Sequence, residues 1–234
     1  MNHFAAVVFD MDGVLVNSHP IHRRAWQQFL STLGREVSES ELDYILDGHK
    51  RSDILCHFLG ALSSAQLAEY GQRKDSLFRE SAREIQPIDG LTDFVANIAS
   101  HGIPMAVATS ASESRTRFTL QQLRLRSYFR AIVTGKDVVF GKPAPDIYRL
   151  ACKRLGVRPA RAVAFEDAVG GVRAAKTAGL FCVGVLSHQP AASLKAAGAD
   201  LTIPNFLGLS IDDLQADLMV PPPLSDSAWR EETG

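Results

Sequence analysis

The sequence predicts an α/β fold: a parallel sheet with helices on both faces, interrupted after its first strand by an all-helical insert. Three observations carry this. Phe4-Ala-Ala-Val-Val-Phe9 is a short, continuous apolar run, as a strand covered on both faces requires. Between about residues 17 and 87 nothing reads as a strand, and apolar residues recur at helical spacing. From Gly90 onward short apolar runs alternate with amphipathic helices, the pattern of βα units in a parallel sheet. Ligands of such sheets bind outside the carboxyl ends of the strands, so the chemistry is expected there.

Within the insert, Trp26, Phe29, Leu30 and Leu33 share a helical face that stops near Gly34, a candidate C-cap. Leu42, Ile45 and Leu46 form a second face, and Ile54, Leu55, Phe58 and Leu59 a third. A longer polar helix with Leu67, Tyr70, Leu77 and Phe78 leads to Pro87. Leu91, Phe94, Val95 and Ile98 then make a helix closed by Gly102. The remaining strands are read at Pro104–Thr109, Ala131–Thr134, Ala162–Phe165, Phe181–Val185 and Asp200–Ile203. Helices between them start at Ser112, follow Pro143, and run up to Gly179. The sequence from Pro221 to Gly234 is rich in Pro, Ser and charge and is expected to be a flexible tail.

The chain has 234 residues, 46% hydrophobic and 22% charged, with net charge −1. That is enough for a full core plus a small second domain. No block of Lys or Arg marks a nucleic-acid or membrane surface, and no apolar stretch approaches the ~20 residues of a membrane span. Cys56, Cys152 and Cys182 are few and far apart. They suggest no disulfide framework or zinc site, and are expected to be free and buried. With no charged and apolar leader before the first strand, the expectation is a cytoplasmic protein, without nucleic-acid or membrane partners, and monomeric.

At the strand ends, Asp10-Met11-Asp12-Gly13 follows the first strand. Residues two apart leave a strand on the same side, so two carboxylates point into one site. An Asp-Gly turn accounts for the residue types as a plain loop; a divalent cation, or a nucleophile and proton-carrier pair, accounts for keeping both acids together. The second strand ends in Thr109-Ser110-Ala111-Ser112, where Ser112 is an N-cap and Ser110 a candidate anion ligand at a helix N-terminus. Lys142-Pro143 follows the third strand. Pro143 in a first helical turn leaves Lys142 facing the acids, as a bound phosphate would need. Glu166-Asp167 closes the fourth strand. Asp167 is a candidate helix cap, but four acids at the ends of the first and fourth strands also form an oxygen-rich set suited to Mg²⁺. With a lysine and a serine nearby, the set reads as phosphoryl chemistry.

In order and spacing, Asp10-Met-Asp-Gly-Val14, Thr109-Ser110, Lys142-Pro143 and Glu166-Asp167 resemble the four motifs of the haloacid dehalogenase superfamily over residues 4 to 205. The resemblance implies a Rossmann-like fold with a discontinuous catalytic core (residues 1–16 and 88–220), a helical cap (17–87) and a tail (221–234). It implies that Asp10 is the nucleophile, Asp12 the general acid and base, and Ser110 and Lys142 the phosphoryl ligands. Asp10, Asp12 (through its carbonyl), Glu166 and Asp167 would hold Mg²⁺. Asp12 argues against dehalogenation, since the true dehalogenases lack the second aspartate.

An insert directly after the first motif is similar to the cap of the β-phosphoglucomutase-like branch. There His22 and Trp26 match the first cap helix, Gly48-His-Lys-Arg51 the specificity loop, and Lys74 a cap lysine; of these His22, Arg51 and Lys74, together with Ser112, would touch substrate. Trp26 and His22 also read as packed core residues. Glu113 stands where a mutase carries a basic residue against a distal phosphate, and a carboxylate there would favour hydrolysis; Arg115 could compensate, but from a different turn of the helix. The sequence therefore predicts a Mg²⁺-dependent phosphatase of small phosphorylated metabolites, sugar phosphates foremost, with β-phosphoglucomutase as the alternative. A Rossmann oxidoreductase is excluded by the missing Gly-x-Gly-x-x-Gly turn.

Overall fold

The computed structural model describes residues 4–82 and 85–217; the tail expected at 221–234 lies outside them. Six parallel strands, β1 (Ala6–Phe9), β2 (Met105–Ala108), β3 (Phe129–Val133), β4 (Ala162–Glu166), β5 (Phe181–Val185) and β6 (Leu201–Ile203), lie in the order β3-β2-β1-β4-β5-β6. The order reverses between β1 and β4, so the crevice of this doubly wound sheet opens at the ends of those two strands. Side-chain alternation splits the core. Val7, Phe9, Val107 and Phe165 face one layer with Phe94 and Phe206, and Phe9 stacks on Phe165 at 5.0 Å. Ala6, Val8, Ala106, Ala108 and Ala164 face the other layer, where small residues let helices approach closely.

The helices on those faces are α5 (Leu91–Ser100), α6 (Glu113–Gln122), α7 (Asp146–Leu155) and α8 (Val169–Ala178), with α9 (Ala191–Ala196) and α10 (Ile211–Asp217) after β5 and β6. The last two are short and escape a reading based on periodicity. Strand β3 begins at Phe129, two residues before the expected start. Its register against β2 slips between Phe129 and Ala131, which leaves exposed Arg130 as the extra residue and breaks the apolar run. Helix α7 starts at Asp146 rather than at Pro143.

Between β1 and α5 the described residues hold four helices, α1 (His19–Ser31), α2 (Glu39–Leu46), α3 (Arg51–Leu59) and α4 (Ser64–Ser81). Helices α2 and α4 start with capping boxes at Ser38 and Ser63, each satisfying two otherwise orphaned backbone donors. Helix α1 ends at Ser31, and Gly34 follows it with φ +73°. The insert has its own core of Trp26, Phe29, Leu30, Leu42, Leu55 and Phe58. Its base, through Ala25, Phe78 and Ala82, joins the aromatic layer under the sheet. Cys152 and Cys182 are buried, but Cys56 is exposed, contrary to expectation; all three thiols are free.

Candidate active site

Asp10 leaves β1 with its N–H still bonded to the Phe165 carbonyl of β4, at 3.0 Å. It therefore sits at the reversal point of the sheet. Asp10 is 7% exposed, and its carboxylate accepts from Lys142 Nζ at 2.7 Å. Lys142 also donates to Glu166, which accepts from the Tyr148 hydroxyl as well. Lys142 and Glu166 are buried beneath the cavity floor. Asp167 accepts from Ser187 Oγ at 2.8 Å, and its Oδ2 lies 2.6 Å from His19 Nε2. Two glycines make these approaches possible. A Cβ on Gly13, whose φ is +74°, would lie 1.9 Å from Asp167, and one on Gly171 would lie 2.1 Å from Glu166.

Burial pushes the Asp10 carboxyl well up; the pull of Lys142 does not offset this, and the charges of Glu166, Asp12 and Asp167 add to it. Burial would lower the Lys142 amine, but Asp10 and Glu166 hold it above its ordinary value. Oxygens of Asp10, Glu166 and Asp167 come within 4.8 Å of one another. Three carboxylates share one lysine ammonium and one histidine in a buried place. A hard divalent cation matches both that crowding of acids and the all-oxygen donor set, so these residues fit Mg²⁺.

Across the cavity, the Asp12 side chain is not part of that cluster. Arg115 grips it with both ends of its guanidinium, at 2.8 and 2.6 Å. Ser18 Oγ donates to Asp12 Oδ1 at 2.6 Å, and His22 Nε2 reaches the same oxygen at 3.2 Å. Burial pushes the Asp12 carboxyl up, but Arg115 and His22 outweigh it and hold the group well below its ordinary range. Lys74 Nζ lies 2.9 Å from His22 Nδ1, so the ring presents its other nitrogen, as N–H, to Asp12. Burial and the facing Lys74 charge lower His22 to about 3. Burial and Arg115 lower Lys74 to about 7.

The insert closes over this site. Ser110 Oγ donates to the Gly48 carbonyl at 2.6 Å, Ser112 Oγ donates to Asp75 at 2.6 Å, and Asp47 accepts from the Gly170 N–H at 3.1 Å. Arg51 is tied to Asp75 and to the Gly71 carbonyl. The cavity that remains is about 70 Å³, room for a few waters.

Asp10, Asp12, His22, Arg51, Lys74, Ser110, Ser112 and Asp167 all line that cavity, with Lys142 and Glu166 just beneath. Three details differ from expectation. Asp167 does not cap α8, whose N-cap is Ala168; its side chain is held by His19 and Ser187 instead. Lys142 reaches the site from the loop that precedes α7, not from the helix start at Asp146. Glu113 does not face the site: it pairs on the surface with Lys136, and with Arg117 at 3.4 Å. Successive helical residues point about 100° apart, and Arg115, one turn after Ser112, is the side chain that α6 aims inward. Glu113 therefore gives no reason to prefer hydrolysis, contrary to expectation.

Sequence reasoning missed His19, Tyr148, Ser187 and the role of Arg115 on Asp12. Two signals were available. Ser187 follows the end of β5, another strand end, and His19 shares a helical stripe with His22 and Trp26.

Residues 4–179 match the family model for haloacid dehalogenase-like hydrolases, and the chain belongs to that family. Within it, the chain falls in the β-phosphoglucomutase-like branch. It is 32% identical to a fructose-1-phosphate phosphatase of Escherichia coli, over 78% of this chain and 96% of that one. It is 29% identical to a β-phosphoglucomutase of Bacillus subtilis, over 91% and 94%. The crystal structure of a Clostridium difficile β-phosphoglucomutase superposes with a TM-score of 0.82 at 23% identity, covering 92% of this chain and 96% of that one, which is a likeness of fold. Among the described residues no helix is long and apolar enough to cross a membrane.

Proposed function

We propose that this chain is a Mg²⁺-dependent phosphatase of small phosphomonoesters, sugar phosphates foremost, working through a phosphoryl group carried on Asp10. The observation that carries the reading is the buried quartet of Asp10, Lys142, Glu166 and Asp167 at the ends of β1 and β4, with Asp12 facing the same cavity. Asp10, Glu166, Asp167 and the Asp12 carbonyl would hold Mg²⁺, which supplies charge to offset the phosphoryl oxygens. An Asp10 oxygen attacks phosphorus while the bond to the ester oxygen breaks. Asp12, ionised here between Arg115 and His22, has to take up a proton from solvent before it gives one to that oxygen, and then takes one from the water that releases phosphate. Lys142 and Ser110 hold the phosphoryl oxygens. The family's hydrolase description and the 32% identical phosphatase support hydrolysis as the outcome. Free thiols agree with a cytoplasmic setting.

β-Phosphoglucomutase remains the second reading, sharing every step up to the phosphoenzyme. The contact of the insert with Ser110 favours it, because a cap pressed onto the phosphoryl position keeps water away. One measurement separates the two: phosphate released against glucose 6-phosphate formed from β-glucose 1-phosphate, with and without β-glucose 1,6-bisphosphate. Hydrolysis predicts that release dominates and needs no bisphosphate. Isomerisation that outruns release about a hundredfold, a bias of ~2.7 kcal/mol in partition, overturns it. A screen of phosphorylated metabolites with excess Mg²⁺ or excess chelator tests the metal, and full turnover in chelator rejects it.

A further inference from the structure

A second cavity, of about 880 Å³, runs along the outer face of α6 to that helix's carboxyl end, where β3 forms one edge of the sheet. It shares no lining residue with the catalytic cavity. Arg117, Arg124, Arg126, Lys136 and Arg154 line it, and of its lining residues only Glu113 and Asp137 are acids. Glu113 serves both Arg117 and Lys136, and Asp137 takes Arg154 at 2.7 Å. Arg126 donates to the Phe129 carbonyl at 2.9 Å. Among the described residues neither Arg126 nor Arg124 has a carboxylate partner. The lining therefore carries three positive charges in excess, in a chain whose net charge is −1, and such a concavity gathers anions.

Arg124 stands there against the preference of its own backbone. It follows α6 at φ +57°, and among the described residues every other positive φ belongs to a glycine. The helix end is one that glycine usually completes: the Arg124 N–H donates to the Gln121 carbonyl at 3.1 Å, and the Leu125 N–H to the Leu120 carbonyl at 2.9 Å. Helices α7 and α8 close in this way on Gly156 and Gly179. A β-carbon in the left-handed region crowds the following carbonyl. A cation would offset the helix dipole from the last turn without that strain, yet the chain has neutral Gln121 and Gln122 there. What glycine could not supply at position 124 is a guanidinium over the cavity.

The walls define the anion. The cations come from α6 and its end, the turn before β3, the loop after β3 and the end of α7, so they stand around the concavity rather than at one point. A phosphate monoester carries about −2 and fills little of this volume. Each further linked phosphate adds charge and offers oxygens to another guanidinium fork, and the cavity has the size of a small-molecule site. We propose that this cavity binds a small ligand with two or more linked phosphates, carried by a nucleoside or as inorganic triphosphate. The site is separate from the phosphoryl chemistry on Asp10 and does not depend on which reaction the catalytic cavity performs.

The test is calorimetric titration of the full chain in excess chelator, with phosphate release followed to confirm that each ligand stays intact. The probes are adenosine diphosphate, inorganic triphosphate and adenosine monophosphate. At least one of the first two should bind with a Kd below about 0.1 mM at physiological ionic strength, weaken as salt is raised, and bind about tenfold or more tighter than the monophosphate. The tighter of the two names the source of the phosphates. Arg124→Gly and Arg126→Glu should each weaken it about tenfold, and release from p-nitrophenyl phosphate under Mg²⁺ should not change. Arg124→Gly should also raise the thermal transition, because glycine suits the left-handed position. Loss of stability together with binding would make Arg124 structural and overturn the proposal. So would no binding of either polyphosphate, or a monophosphate bound equally well. A Kd untouched by both substitutions would put the ligand in the catalytic cavity and overturn it too. If Arg126→Glu does not fold, Arg124→Gly decides alone.

Discussion

The floor and the roof of the cavity are built by different means. On the floor, Asp10, Lys142, Glu166 and Asp167 are fixed by strand ends and short loops, and β1 and β4 pair along their full length up to Phe9 and Phe165. On the roof side, His22, Arg51, Lys74 and Asp75 come from three helices of the insert, and α6 adds Ser112 and Arg115. Among the described residues no backbone ladder joins those helices to the sheet; beside the apolar base at Ala25, Phe78 and Ala82, the contacts across are side-chain bonds such as Ser112 to Asp75 and Arg115 to Asp12. The floor is rigid and places charge for one reaction. Over the cavity the roof is held by exchangeable polar contacts that a substrate can replace, which is where selectivity belongs.

The largest effect is expected from the floor. Asp10→Asn keeps the shape of the side chain but removes the nucleophile and one negative charge. Turnover should fall below detection, while the thermal transition moves little or rises, because a buried charge is lost. Near wild-type turnover, with deamidation excluded by mass, would end the Asp10 mechanism. Asp12→Asn comes next. It stands between floor and roof, and failed proton transfer should cost roughly 10² to 10⁴-fold in kcat. A loss confined to KM would make Asp12 a binding group only.

The same contrast explains how far the sequence could be read. The floor was legible because strand ends are set by local apolar runs, and Asp10, Ser110, Lys142 and Glu166-Asp167 each follow one. Cap residues such as His22, Arg51 and Lys74 were reached through family resemblance, and their partners were not foreseen. That Arg51 would bind Asp75, or that Lys74 would meet His22, depends on how α1, α3 and α4 settle against one another. Direction on a helix also mattered. Glu113 and Arg115 are two residues apart, so they point to nearly opposite sides of α6, and the sequence reading turned the wrong one inward. Arg130 hid the start of β3 because a bulge carries no apolar signature.

A pH measurement probes the roof. Lys74 is lowered to about 7 in the folded chain, from an ordinary 10.5, by burial and by Arg115. Between about pH 7 and 10.5 the unfolded chain therefore binds the additional proton, and stability should rise with pH across that window. Below about 7 both states are protonated at Lys74, and its contribution is flat. Lys74→Met should remove this slope from denaturant midpoints measured between pH 7 and 9.5, and should raise stability at pH 7. An unchanged slope would mean that Lys74 reaches solvent in solution and that the roof is more open than its contacts indicate.

The smallest effect is expected from Glu113→Lys, and it sharpens the comparison most finely because it lies one residue from Ser112 and two from Arg115. If charge anywhere near the start of α6 steered the substrate, reversing it should change selectivity between acidic and neutral phosphomonoesters. The geometry argues otherwise. Glu113 faces outward and spends its charge on Lys136 and Arg117, whereas Arg115 is buried against Asp12. Exposed pairs of this kind contribute little and are screened by salt, so kcat/KM ratios between acidic and neutral phosphomonoesters should stay within about twofold at physiological ionic strength. The substitution does set a third cation beside Arg117 and Lys136, and a small loss of thermal stability that fades in high salt is the expected trace. A several-fold shift towards acidic substrates would show that the surface field of α6 reaches the bound substrate.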